Sequence, residues 1–182
     1  MSTEGVTLRE EHPGDAASIR SLVDDAFAPD ATVGPLVEAI RASPRYVASL
    51  SLVAQDAAGA VVGFTMLSHV DLVGPDGVRR EILSLSPLAV APSAQGRGIG
   101  GALVRDALAR ATQTRESLVV LEGSPAYYPR FGFELAAAHG ITINLPHWAP
   151  PEAAMAYLLP AHRAEVVGTV EYPPAFDEVV EH

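Results

Sequence analysis

Four glycines in the six residues Gly96 to Gly101, set between an apolar run and a periodic one, constrain this chain more than any other feature. In LSPLAVAPSAQGRGIGGALVRDALARA, Leu85 to Ala111, the apolar run ends at Val90. Beyond the glycines, Leu103, Val104, Ala107, Leu108 and Ala111 recur at helical spacing, with Arg105, Asp106 and Arg110 on the other side. The pattern predicts a strand, a glycine loop and an amphipathic helix. Glycines at a helix start let backbone N–H groups approach an anion closely, and the helix dipole adds partial positive charge there. The loop therefore reads either as a site for a pyrophosphate or as a tight strand-to-helix turn that holds nothing.

Two phosphate-binding patterns compete for these residues. GRGIGG satisfies the G-x-G-x-x-G dinucleotide fingerprint, and Glu122 follows at about the twenty-residue spacing which that fold requires. Its context fails, because APSAQ separates the strand from the first glycine, and Pro92 cannot continue a central strand. A Walker loop fails for want of Gly-Lys-Ser/Thr: all 12 basic residues are arginine, which also excludes a Schiff-base lysine. The same stretch read as Q-x-x-G-x-G puts Gln95, Gly98 and Gly100 across the helix start.

Composition narrows the partners. A formal charge of −10 disfavours a nucleic-acid backbone, whose binding needs clustered Lys and Arg, and suits a cationic small substrate. Without cysteine there is no disulfide framework or thiol nucleophile, and His69 and His147 stand alone without metal spacing, so no metal is expected. MSTEGVTLREEHPGD lacks the features of a secretion signal, and no apolar run reaches bilayer length. A cytoplasmic protein with no membrane contact is expected. At 182 residues, without repeat or linker, the chain is expected to form one domain over 1–182.

VTLREEH alternates as a strand, and Ile19, Leu22, Val23, Ala26 and Phe27 follow at helical spacing. GPLVEAIRAS predicts a second short helix. LSLVAQDAAGAVVGFTMLSHVDL predicts a hairpin turning at QDAAG, and GPDG turns the chain into RREILSLSPLAV. With ESLVVLEG as a strand after the glycine-led helix, the pattern is α+β: antiparallel strands with one βαβ crossover. The proline-interrupted last forty residues are expected to add strands and an ordered tail.

LSPLAVAPSAQGRGIGGALV resembles the acetyl-CoA motif of the GNAT N-acetyltransferase superfamily, and AYYPRFGFELA resembles its later Tyr-x-x-x-Gly-Phe signature at Tyr128 and Gly132-Phe133. AFAPDATVGPLVEAIRAS, LSLVAQDAAGAVVGFTMLSHV and GTVEYPPAF are further similar to one bacterial branch of predicted acetyltransferases. The resemblance implies a mixed, largely antiparallel sheet flanked by helices, with a splayed strand pair forming the acyl-CoA cleft. It implies acetyl-CoA as acyl donor, its pyrophosphate on Gln95, Gly96, Arg97, Gly98, Ile99, Gly100 and Gly101, and its pantetheine along Leu88, Ala89 and Val90. A homodimer is compatible with it.

The implied reaction is direct attack of a primary amine, on a small molecule or a peptide, upon the thioester. An amine of pKa about 10.4 is neutral in roughly one molecule per thousand near pH 7.4, a deficit of about 4 kcal/mol, so a base or a desolvating pocket is needed. Tyr128 is the implied acid for the leaving thiolate. Glu81, on the strand leading into the motif, is the candidate base, set against a plain exposed role beside Arg79 and Arg80. Ser84 stands where some superfamily members carry a catalytic glutamate, and Glu122, at a strand end, is a further carboxylate. Two rivals stay open: a CoA-binding regulatory module without catalysis, and a dinucleotide oxidoreductase.

Overall fold

Short-range patterns account for the first elements of the computed structural model, which describes residues 5–177. Alternation gives β1 (Val6–Glu10), and the Ile19, Leu22, Val23 stripe gives α1 (Ala16–Phe27), entered through a 3-10 turn at Pro13–Asp15. There Asp15 accepts from the backbone N–H of His12 at 2.7 Å and from both terminal nitrogens of Arg9 at 2.7 and 2.9 Å. Next come α2 (Val33–Arg41), β2 (Tyr46–Asp56), β3 (Val61–Val73), β4 (Arg79–Val90), α3 (Ile99–Ala111) and β5 (Leu118–Glu122). The later chain adds β6 (Glu134–Leu135), β7 (Ile141–Thr142), β8 (Ala154–Leu158), β9 (Gly168–Glu171) and a turn of helix, α4 (Pro174–Asp177).

The described residues fall into two compact units, and the long strands β3 and β4 contribute to both. The first unit comprises residues 5–68, 86–110 and 174–177. In it β1 pairs antiparallel with β2 from Val6–Asp56 to Glu10–Leu52, and β2 pairs antiparallel with β3. Side chains alternate across these strands. Val53, Phe64 and Met66 join Ile19, Leu22 and Val23 of α1 and Val37 and Ile40 of α2 in one buried cluster. On the opposite face Ala54 and Gly63 meet Ile99 and Leu103 of α3. A buried ion pair ties α2 to the end of β1: Arg41 Nε lies 2.7 Å from Glu11 Oε1, and the Glu11 side chain is only 4% exposed.

The second unit comprises residues 69–85 and 111–173. Here β4 and β5 pair in parallel at Leu83–Val119 and Ser84–Val120, the crossover expected from the sequence. β5 pairs antiparallel with β8 along its whole length, and β8 with β6. The end of β3 pairs antiparallel with β9, which runs parallel to β7. Arg79 bridges three of these strands, reaching Asp71 at 3.3 Å and Glu171 at 2.6 Å. The expected late strands thus exist, and of the expected tail the last five residues lie outside the described chain.

Candidate active site

The glycine loop lies wholly in the first unit. After β4 the chain makes a 3-10 turn at Pro92–Ala94, and Gln95 returns to the strand end, its Nε2 donating to the carbonyl of Val90 at 3.1 Å. Gly96 and Gly98 have φ of +76° and +82°, the left-handed region that costs an L-residue about 1–2 kcal/mol. Helical bonding starts where Ala102 N–H meets Gly98 C=O at 3.0 Å, so the first-turn amides of α3 are those without an intrahelical acceptor. Gln95, Gly96, Arg97 and Gly98 are exposed, whereas Ile99 is buried and pins the helix start to β3. Leu88 and Val90 are half-buried and Ala89 is buried. The Ser86–Pro87 peptide is cis, and the Pro87 carbonyl accepts from Thr65 Oγ1 at 3.0 Å. These residues suit the phosphate end of an acyl-CoA: first-turn amides without an intrahelical acceptor, an exposed arginine and no carboxylate within the loop.

Tyr128 lies in the second unit, in the 3-10 helix Tyr128–Phe131, which Gly132 ends at φ +94°. Its ring packs edge-on against Tyr127 at 5.1 Å and Phe133 at 5.7 Å between centroids. It also lies over Gly123, where any side chain would overlap it. Burial, with a smaller contribution from Tyr127, pushes its hydroxyl up to about 12, so it stays a donor at every physiological pH. Arg130 stacks on Tyr127 and donates to the carbonyls of Tyr127 and Ala126.

Beside Gly123 a second polar group forms at the end of β5. Tyr172, just after β9, is hydrogen-bonded to both Glu122 and Ser84. Ser84 is 2% exposed. Much of the Glu122 residue is open to solvent, yet packing around its carboxyl raises its pKa, against the opposing effect of the Tyr172 bond. Burial, then the Glu122 charge, drives the Tyr172 hydroxyl well above the ordinary tyrosine value, while the Ser84 bond opposes the rise. Sequence reasoning missed Tyr172: no local pattern links the end of β9 to a residue fifty positions earlier.

The other candidates are placed as follows. Glu81 is exposed on β4, and strand alternation turns it away from the side that Ser84 occupies. His69 pairs with Glu116 at 2.7 Å. His147 helps line an open cavity of about 410 Å³ with Leu135, Ile141, Ile143, Leu145 and Glu152, and Trp148 is 76% exposed. Ala154, in the wall of that cavity, is the register partner of Glu122. No helix among the described residues is long and apolar enough to cross a membrane.

Comparison with known proteins bears on all of this. A model of the acetyltransferase (GNAT) domain matches residues 48–135. The uncharacterized N-acetyltransferase YhbS of Escherichia coli (strain K12) is 36% identical over 172 residues, 93% of this chain and 98% of its own. The crystal structure of Escherichia coli YhbS in complex with CoA superposes with a TM-score of 0.84 at 31% identity, covering 97% of this chain and 94% of that one. A GNAT family acetyltransferase of Brucella melitensis, in complex with acetyl-CoA, gives 0.76 at 31% identity, covering 94% and 98%. The mixed, mostly antiparallel sheet with its flanking helices is the fold of these proteins. A relative 36% identical over nearly the full length, a shared fold and the glycine loop ahead of α3 together show that this chain belongs to the GNAT family of N-acetyltransferases.

Proposed function

We propose that the chain acts over its whole length as a single cytoplasmic acetyltransferase domain. It moves the acetyl group of acetyl-CoA to a primary amine, on a small molecule or a peptide, by direct attack. The observation that carries this reading is the left-handed pair Gly96 and Gly98 ahead of α3, in a chain whose relatives were crystallised with CoA and acetyl-CoA. The Gln95–Gly101 segment holds the pyrophosphate, and the Leu88–Val90 backbone holds the pantetheine. Gln95 already donates to the Val90 carbonyl, so the loop is tied back to the end of the strand proposed to carry the pantetheine.

Tyr128 serves the leaving sulfur. With its hydroxyl at about 12, complete transfer to a thiolate of pKa near 8.5 is uphill by about 5 kcal/mol in isolation. The tyrosine therefore hydrogen-bonds the departing sulfur and passes its proton as the amine nitrogen sheds one, avoiding a free phenolate. Glu81 and Glu122 are the two carboxylates considered for the base. The cavity walled by Leu135, Ile141, Ile143 and Leu145, and by Ala154, the register partner of Glu122, suits an amine with an apolar body. A homodimer is compatible with the family resemblance, and sedimentation across protein concentrations tests it.

Thermal unfolding against graded acetyl-CoA, CoA and NAD tests the cofactor assignment. A ligand at a hundred times its dissociation constant adds about 2.7 kcal/mol. Stabilisation by both CoA species and not by NAD is expected. Stabilisation by NAD alone overturns the reading, and CoA binding without acetyl transfer to any of a panel of primary amines leaves a binding module.

A further inference from the structure

The acid in this reading has a residue assigned to it, while the base has two contenders with different surroundings. Glu81 is exposed on the side of β4 away from Ser84. Glu122 ends β5 next to Gly123; the Cβ side of Gly123, shared with Leu121, meets the Tyr128 ring, and strand alternation turns the Glu122 carboxylate to the opposite face of the same strand end. Tyr172 joins Glu122 to Ser84, a hydroxyl 2% exposed in the last register pair of the β4–β5 ladder, beyond which Glu122 lies. The bonding has a direction. Ser84 donates to the Tyr172 oxygen, which leaves the phenolic proton for Glu122. One carboxylate lone pair is thereby fixed by a buried donor, and others are left for a substrate.

We propose that Glu122 is the general base of acetyl transfer and that Tyr172, anchored by Ser84, is the positioning residue that fixes its carboxylate. The inference rests on the transferase reading above. An acceptor R–NH3+ gives one proton to Glu122. The freed amine forms a C–N bond to the thioester carbonyl, and the C–S bond breaks. The sulfur takes the Tyr128 proton, the nitrogen's second proton restores Tyr128, and Glu122 returns its proton to solvent. The products are the amide and CoA thiol. Burial that raises the Glu122 carboxyl brings it closer to the amine's own pKa, which makes it the stronger base at neutral pH.

Two measurements test this. The first is kcat/KM against pH from 6 to 9, with saturating acetyl-CoA and phenethylamine as the probe acceptor. A working carboxylate base acts on the abundant ammonium form, so the wild-type profile is nearly flat. Glu122→Gln relies on free amine alone, and its rate should be lower and rise about tenfold per pH unit. A Glu122→Gln profile as flat as wild type overturns the proposal, and flatness lost instead in Glu81→Gln gives the role to Glu81. The second is a 13C carboxyl titration of the folded protein, with Glu122 assigned through Glu122→Gln. In Tyr172→Phe the Glu122 midpoint should move upward, because a donor to the ionised form is gone. An unmoved midpoint overturns the positioning role. A wild type that acetylates no amine of the panel overturns the transferase reading and the base role with it, while the titration still reads the Glu122–Tyr172 coupling.

Discussion

In the proposed mechanism Tyr128 carries the acid step in one hydroxyl, and its surroundings make its behaviour checkable. Tyr127, Phe131 and Phe133 surround the ring, so Tyr128→Phe keeps the packing and removes only the donor. We expect kcat to fall by a hundredfold or more, with acetyl-CoA affinity within twofold of wild type; a loss under fivefold would remove Tyr128 from the mechanism. The sign of the pH effect follows from its pKa of about 12: the donating form is the protonated one, present below that value. Wild-type rates should therefore show no decline between pH 8 and 10 that the Phe variant lacks. At this scale the sequence was legible where a residue answers a local demand. Gly98 is a glycine because φ of +82° requires it, and Tyr128 sits at a fixed distance from Gly132 and Phe133. Tyr172 answers a demand made by β4 and β5 from far along the chain, and although GTVEYPPAF carries part of the family resemblance, nothing in it singles out the tyrosine.

Elements were legible where one periodicity dominated. The α1 stripe predicted from Ile19, Leu22, Val23, Ala26 and Phe27 is the one that packs, and the QDAAG and GPDG turns close where expected, with Asp56 accepting from Ala58 and Ala60 in the first. The strands β6 and β7, two residues each, carry no period that a sequence could display, and only pairing with β8 and β9 makes them strands. The way α3 is seated was equally hidden, because Gly63 looks like a weak point inside a strand. Its role is spatial: a Cβ there would lie 2.9 Å from Ile99 Cγ2, 3.0 Å from Leu103 Cδ1 and 3.2 Å from Ala54 Cβ. Gly63→Ala should destabilise by about 1–3 kcal/mol through overpacking. Because Ile99 opens the helix, the variant should also weaken acetyl-CoA binding. Ile99→Val removes the methyl at the end of the side chain and leaves Cγ2, so it should not rescue Gly63→Ala, whereas Ile99→Ala should restore part of the lost stability. Urea unfolding of the single and double variants measures both, and strictly additive losses would remove Ile99 as the obstacle.

At the scale of the whole molecule, charge sets the two substrates against each other. With 22 acidic residues against 12 arginines, the chain repels a polyanion such as acetyl-CoA at long range and attracts a protonated amine. Under the proposed cofactor site, capture must then be won at close range, by the first-turn amides of α3, its dipole and the exposed Arg97, over distances shorter than the screening length. Salt separates the two contributions, since raising ionic strength from about 0.01 to 0.15 M shortens the Debye length from about 30 to about 8 Å. Long-range repulsion is screened first, so kcat/KM for acetyl-CoA should rise, by about twofold or more, while kcat/KM for a cationic acceptor falls by a similar factor. Replacing Arg97 with Gln should weaken acetyl-CoA at both salt concentrations and leave the acceptor's salt dependence as it was. If both substrates instead lose efficiency together as salt is added, close-range ion pairs govern both encounters, and the overall charge of −10 serves only solubility and the exclusion of nucleic acid.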